Sequence, residues 1–430
     1  MTWMLLLTIG FTAIFGYLYI RLSKEESLFS SPTRLLLLLL LFGLVIRLIY
    51  AAQAEGYPAD IAAFKRWSEY SFKNGLLDLY SGKTYADYPP GYMYILYLLG
   101  GVRTLFSIDI QSVFYTILIK LPSIFSDLAI AVILYKFFSD KWNHRLALFV
   151  SAICLLNPGV IVNSSLWGQT DSFLTMWLLL SFLFMIKGRL SLAASFLAIA
   201  VLVKPQGLLF GPILLAAYFV KKDHRAILYS ILSGAGVFLL SVFMFLPRYG
   251  LYWVLKLYMG TAMQFPYASL NAYNLHTLLG GNFKPDRNIL FILSYRSWGF
   301  IFLGMVITYA MLLFIKSKKM QTAALSACVL MCGVFTLAPA MHERYLFPAV
   351  ILLLLAYGVY KDIRLLVVFF IFSATSFLNQ VQILLQILRW IPVTAGNDPI
   401  LISVCIINIV STFYLFYIAF DIAIRERVLI

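Results

Sequence analysis

RLLLLLLLFGLVIRLIYAA, residues 34–52, decides the class of fold. The leucine run Leu35–Leu41 does not alternate with polar residues, whereas a transmembrane β-strand would alternate over ~10 residues. A helix that crosses a bilayer needs ~20 mostly apolar residues, and this segment has that length. Comparable runs recur at 2–20, 91–106, 114–138, 145–161, 171–186, 227–246, 289–315, 321–338, 346–360, 364–386 and 400–422, and a long run at 190–220 is interrupted by Lys204 and Pro205. The expected fold is therefore all-α: a polytopic transmembrane bundle of about 13 helices, forming one integral-membrane domain over residues 1–430.

Composition agrees with that reading. The 430 residues are 62% hydrophobic and 12% charged, with mean hydropathy +0.90. Soluble domains carry about 25% charged residues, so a soluble enzyme, a disordered chain and a nucleic-acid binder are excluded. The net charge of +15 comes from basic residues in short gaps between apolar runs, where they set orientation. Cys154, Cys328, Cys332 and Cys405 lie inside apolar segments without metal-ligand spacing, which suits helix packing. Arg21 and Lys24 follow the first apolar run instead of preceding it, so the N-terminus does not read as a cleavable signal.

Lysine and arginine clusters at 21–34, 136–145, 187–189, 221–225, 316–319, 361–364 and 425–427 are expected on the cytoplasmic side. Asp60, Asp171, residues 247–288, His342 and residues 388–399 then fall outside. This works if 190–220 crosses twice and the short run 91–106, with Gly100, Gly101 and Arg103 inside it, is re-entrant. The alternative is a single broken helix at 190–220.

Only 53–90 and 247–288 are long connections, and they hold most of the polar motifs. The first contains GYPADIAAFKRWSEYSFKNGLLDLYSGKTYADYPPGY, residues 56–92. Ile61, Phe64 and Trp67 form an apolar stripe opposite Lys65, Arg66 and Glu69, as in an amphipathic helix lying on a membrane surface. Asp60 at its start is either a helix cap or a functional carboxylate. Asp87, Tyr88, Pro89 and Pro90 end the loop, and prolines suit a helix's first turn.

NPGVIVNSSLWGQTDSF, residues 157–173, places Gln169 and Asp171 where two apolar helices meet. Ionisable groups so close to hydrocarbon are expensive and are functional candidates by default, although Asp171 also suits a plain cap. In LVKPQGLLF, residues 202–210, Lys204 either snorkels to the interface or joins Gln206 in offering donors to an anion. APAMHERYLFP, residues 338–348, puts His342, Glu343 and Arg344 on a turn expected outside. Positive charge is not favoured there, so a ligand phosphate explains them better than a solvated turn. Asn271 and Asn274 lie among tyrosines in QFPYASLNAYNLHTLLGG, residues 264–281; this suits a sugar face or an interfacial aromatic belt equally.

Taken in order, these motifs resemble the GT-C superfamily of membrane glycosyltransferases that use polyprenyl-phosphate-linked sugars. Asp60, the tryptophan-bearing helix and Asp87-Tyr88-Pro89-Pro90 resemble the dolichyl-phosphate-glucose glucosyltransferases that extend the N-glycan precursor. Those enzymes have a Lys-Gln step, which the inserted Pro205 interrupts here, and a His-Glu-Lys similar to His342-Glu343-Arg344. The WGQTD and HERYLFP strings are similar to bacterial relatives of the mannosyltransferase that adds the second mannose of GPI anchors. Asp171 sits like the second acidic loop of oligosaccharyltransferase catalytic subunits. The resemblance spans residues 34–350.

It implies an inverting hexosyltransferase of the plasma membrane, with its site on the extracytoplasmic face and 53–90 as the catalytic loop. Mannose or glucose would move from a polyprenyl-phosphate donor to a glycan, lipid or protein acceptor. Asp60 would be the base, with Lys204, His342 and Arg344 on the donor phosphate. Asp87, Tyr88, Gln169, Asp171, Gln206, Asn271, Asn274 and Glu343 would line the substrates. Neither a cofactor nor a metal is expected: Asp60 is followed by Ile61, so an Asp-x-Asp metal signature is absent, and no nucleotide-binding glycine-rich loop occurs. Beyond membrane lipids and these substrates no partner is implied, and nucleic acid is not among them. Two other classes share the composition. A lipid-linked glycan flippase would show midplane charges and internal repeats, and a surface-polysaccharide polymerase or ligase would differ in its acceptor.

Overall fold

The computed structural model describes residues 31–388 and 398–429, together with Gly10, Phe11, Ile14 and Tyr17. Most of the expected helix at 2–20 and most of the turn at 388–399 lie outside the described residues.

Proline at the first turn starts several helices. These include α1 (Pro32–Gln53), α2 (Pro58–Asn74) and α3 (Pro90–Leu105). Next come α4 (Val113–Lys141), α5 (His144–Leu155) and α6 (Pro158–Trp167), the last two bent by 47° at Asn157. α7 (Asp171–Ile186), α8 (Leu190–Val203) and α9 (Gly211–Lys221) follow; Pro205 breaks the chain between α8 and α9, which a 3₁₀ stretch joins. α10 (His224–Val242) runs on into α11 (Leu246–Ala262). The bundle closes with α12 (Tyr295–Ser317), α13 (Thr322–Leu337), α14 (Phe347–Tyr360), α15 (Ile363–Leu388) and α16 (Pro399–Ala423).

Several expectations change. Residues 247–262 are helical on either side of a kink at Gly250 (φ 69°) and not loop, because α11 continues the apolar run past Pro247. The segment at 289–294 is a small antiparallel hairpin pairing Ile289 with Ser294 and Leu290 with Leu293, so α12 begins only at Tyr295. The apolar stripe of α2 does not rest on lipid. Ile61, Phe64 and Trp67 are buried in protein, and Lys65, expected opposite the stripe, is buried as well. α3 covers that face so closely that a Cβ on Gly100 would lie 2.3 Å from the carbonyl oxygen of Ser68.

Among the described residues six helices are long and apolar enough to cross a membrane, or seven with the bent pair, and five shorter apolar helices accompany them. Length and composition thus support six or seven crossings, not about 13. α13 shows why the shorter ones escaped a length rule. Its 16 residues span about 24 Å at ~1.5 Å per residue, less than the ~30 Å hydrocarbon core. Every residue of α13 is buried, as is α14 from Phe347 to Val359. Protein instead of lipid surrounds this pair, which forms the centre of the bundle. The outer helices α1, α10 and α12 expose their leucines, isoleucines and phenylalanines, as a lipid-facing belt should.

Candidate active site

The polar motifs meet at one end of the bundle. Asp60 lies in the first turn of α2, but Tyr57 is the residue before that helix and no side chain caps it. The Asp60 carboxylate does something else: Oδ2 accepts Nε1–H of Trp167 at 3.1 Å and Nε2–H of Gln169. The cap reading of Asp60 is therefore replaced by a long-range contact. Tyr57 stacks on Trp167 with ring centroids 5.3 Å apart, and its backbone N–H donates to the Trp167 carbonyl.

Trp167 and Gln169 are aimed by an unusual local structure. Residues Val162–Trp167 are π-helical, and Gly168 ends the stretch in the left-handed region at φ 81°. The Asn163 carbonyl accepts the N–H groups of both Gly168 and Gln169. Lys120, buried in α4, donates to the carbonyls of Ala54 at 2.7 Å and Ser165 at 2.9 Å, pinning the end of α1 to this stretch.

Asp171 follows at the start of α7. It is not merely a cap, since its buried carboxylate pairs with Lys204 at 2.6 Å and accepts from Asn163 at 3.1 Å. Lys204 ends α8 in extended conformation. The whole residue is 2% exposed, so snorkelling is ruled out; its ammonium also donates to Gln169 Oε1 at 3.2 Å and lies 5.6 Å from the Tyr88 ring. From the turn between α13 and α14, Arg344 reaches over Trp167 at 5.5 Å, donates to Glu343 and stands 3.9 Å from Asp171. Asp60, Gln169, Lys204, Asp171, Arg344 and Glu343 thus form one continuous polar chain.

Around it, His342 packs edge-on to Phe265, and its Nε2 is buried without a partner. Burial, with Arg344 and Lys204 beside it, pushes the His342 imidazole well below its usual range. Both effects disfavour the charged imidazole, so His342 is read as a neutral group. Burial raises the Glu343 carboxyl, opposed by Arg344. It also raises Asp87, whose Oδ1 is buried and unpartnered. Tyr88 packs among Phe64, Trp67 and Tyr92. Gln206 turns an unpartnered, buried Oε1 inward.

Asn271 and Asn274 are used differently. Asn271 exchanges hydrogen bonds with Asn282, and Asn274 caps Leu275–Leu278 while donating to the Phe335 carbonyl. Both residues help to build the second loop.

Sequence reasoning omitted Trp167 although it quoted the string, and it passed over Lys120, Asn163 and Gln380. Gln380 of α15 accepts from the Asn163 amide at 3.1 Å, so the late helices do wall the site. The available signal was a polar side chain inside an apolar run. Among the described residues no group of three or more His, Cys, Asp or Glu side chains is placed to hold a metal.

Bundle and site together define a multi-pass helical membrane protein with a buried, charged centre at one end. The family model for Glycosyltransferase family 87 matches residues 85–339, more than half of the chain. The chain belongs to that GT-C-like family of membrane glycosyltransferases and is a glycosyltransferase. A comparison with curated proteins finds no match. The family match takes in Asp87, Gln169, Asp171 and Lys204; Asp60 lies before it and His342 after it.

Proposed function

We propose that the chain moves a hexose, mannose or glucose, from a polyprenyl-phosphate carrier to an extracytoplasmic glycan, lipid or protein acceptor, with inversion. One observation carries this reading: two carboxylates, Asp60 and Asp171, and two cations, the buried Lys204 and the largely covered Arg344, come from four separate segments of chain and gather at helix ends on one side of the bundle. A sugar on a phosphate carrier already has a good leaving group. What remains is a base for the acceptor and positive charge for the departing phosphate. The acceptor O–H gives its proton to Asp60 as its oxygen bonds to the anomeric carbon. The bond from that carbon to the phosphate oxygen breaks, and the phosphate leaves with the electron pair towards Arg344. Lys204, already paired with Asp171, supports the phosphate from behind.

The same convergence supports the orientation. The basic turns gather at the other end of the bundle, where Trp142 donates to Gly358 and Arg364 pairs with Asp362 and Asp421. With that end cytoplasmic, the site faces outward from the plasma membrane. α2 and α3 then stay on the outer side, and the break at Lys204 and Pro205 between α8 and α9 lies at the outer end.

The test is a proteoliposome assay with radiolabelled polyprenyl-phospho-mannose and polyprenyl-phospho-glucose, using a lipid extract of the source cells as acceptor. One of the two labels should leave its carrier, with the anomeric configuration inverted in the product. Label that only changes leaflet on an intact carrier would make the protein a flippase and overturn the reading.

A further inference from the structure

Both N–H groups that reach Asp60 come from residues 167–169, and one of them belongs to a side chain held at its other end by a cation. Gln169 is fully buried. Its Oε1 accepts from the Lys204 ammonium, which can only donate, and its Nε2 donates to the Asp60 carboxylate, which when ionised can only accept. Turning the amide over would set N–H against ammonium and carbonyl against carboxylate. The two charges therefore dictate which end faces which.

The backbone of Gln169 is fixed equally well. Its N–H donates to the Asn163 carbonyl at 2.9 Å, and its carbonyl accepts from Ser123 Oγ at 2.5 Å. Behind it, Asp171 holds Lys204. Asp60 Oδ2 is thus tied to a rigid frame, while among the described residues Oδ1 receives no hydrogen bond. Other charged or titratable groups near Asp60 are Tyr57 on α2, Asp87 and Tyr88 ahead of α3, and Glu343 and Arg344 ahead of α14.

We propose that Gln169 is a positioning residue: it sets the plane of the Asp60 carboxylate so that Oδ1 meets the acceptor hydroxyl, and it couples that carboxylate to the Lys204–Asp171 ion pair. This rests on the reading of Asp60 as the base. It replaces the expectation that Gln169 contacts the sugar, because both ends of its amide are engaged within the protein.

The experiment measures release of label from the donor in the proteoliposome assay, as a function of pH and donor concentration, for wild type, Asp60→Asn, Gln169→Leu and Gln169→Glu. Gln169→Leu removes the amide's hydrogen bonds to both Asp60 and Lys204, and loss of the one to Asp60 should lower kcat about ten- to hundredfold with donor KM little changed. Gln169→Glu keeps the shape but replaces the N–H donor with a second carboxylate. Like charges sharing a site favour the protonated form of one of them, so the acidic limb of the rate profile should move to higher pH, with activity partly recovered above it. Should Gln169→Leu fail to fold, the isosteric Gln169→Glu decides alone. A raised KM at unchanged kcat would assign Gln169 to the substrate and overturn the proposal. So would an inactive Asp60→Asn beside a Gln169→Glu whose pH profile matches wild type. Wild-type turnover in Asp60→Asn would instead remove the base reading itself.

Discussion

Arg344 and His342 sit two residues apart, yet the structure gives them different chemistry. Arg344 keeps its charge and is stacked over Trp167 and Tyr345, whereas burial beside Arg344 and Lys204 holds His342 neutral. Arg344→Ala should therefore weaken donor binding or transfer by about 1.5–3 kcal/mol, the range for hydrogen bonds to charged groups. His342→Gln should cost less, about 0.5–1.5 kcal/mol, the range for neutral hydrogen bonds. The sign of the pH dependence follows. A cationic His342 would tighten donor binding as pH falls through 6.5, its ordinary value, but a pKa well below that leaves no such step. Donor affinity measured between roughly pH 7.5 and 5.5 should show none, and a step that vanishes in His342→Gln would contradict this. At this scale the sequence was readable wherever charge stood near hydrocarbon. Asp171 and Lys204 were singled out that way, and they pair directly; Arg344 stands 3.9 Å from Asp171, and Asp60 joins them through Gln169. Partnerships were not readable, because Asp60 meets Trp167 across 107 positions and no local spacing encodes that. The loop-building hydrogen bonds of Asn271 and Asn274 were likewise not readable, because their partners Asn282 and Phe335 lie 11 and 61 positions away.

The element that aims the site is the π-helical turn Val162–Trp167 and the glycine that ends it. Gly168 adopts φ 81°, and a Cβ there would lie 2.6 Å from Cδ1 of Ile61. Gly168→Ala should therefore lower stability by about 1–2 kcal/mol for the left-handed backbone alone, and push α2 away from Trp167. Thermal unfolding in detergent reads the first effect, and donor turnover reads the second. A variant with the wild-type transition temperature and rate would show that the turn does not hold the site. Apolar runs located most helices within a few residues, since length and hydropathy are local properties. The π-turn, the bend at Asn157 and the helical extension through 247–262 were missed, because each depends on which neighbour covers the backbone. The stripe on α2 was correctly seen, but the sequence does not say whether lipid or α3 would cover it.

Across the described residues, charge is divided between the two ends of the bundle, with the carboxylates and cations of the candidate site at one and the basic turns at the other. The sidedness proposed above can be read without substrate. All four cysteines are buried, so an introduced thiol reports on its own. Lys83 and Lys284 are exposed near the site end, and Lys318 is exposed at the other. In intact cells, Lys83→Cys and Lys284→Cys should react with an impermeant maleimide, and Lys318→Cys should react only after the membrane is opened. The reverse pattern would invert the protein. One ion pair stands apart from both ends. Arg47 of α1 and Asp127 of α4 meet at 2.8 Å, both fully buried, and so tie those two helices together. The central claim is that Asp60 takes the acceptor's proton while Asp171 holds Lys204 in place. Its most direct test compares Asp60→Asn with Asp171→Asn, measuring donor binding and transfer of label for each. Asp60→Asn should fold, bind donor and lose about 10²–10⁴-fold in turnover, while Asp171→Asn should lose binding or stability. An Asp60→Asn protein that transfers at the wild-type rate, beside an Asp171→Asn protein that binds donor but transfers nothing, would contradict the account.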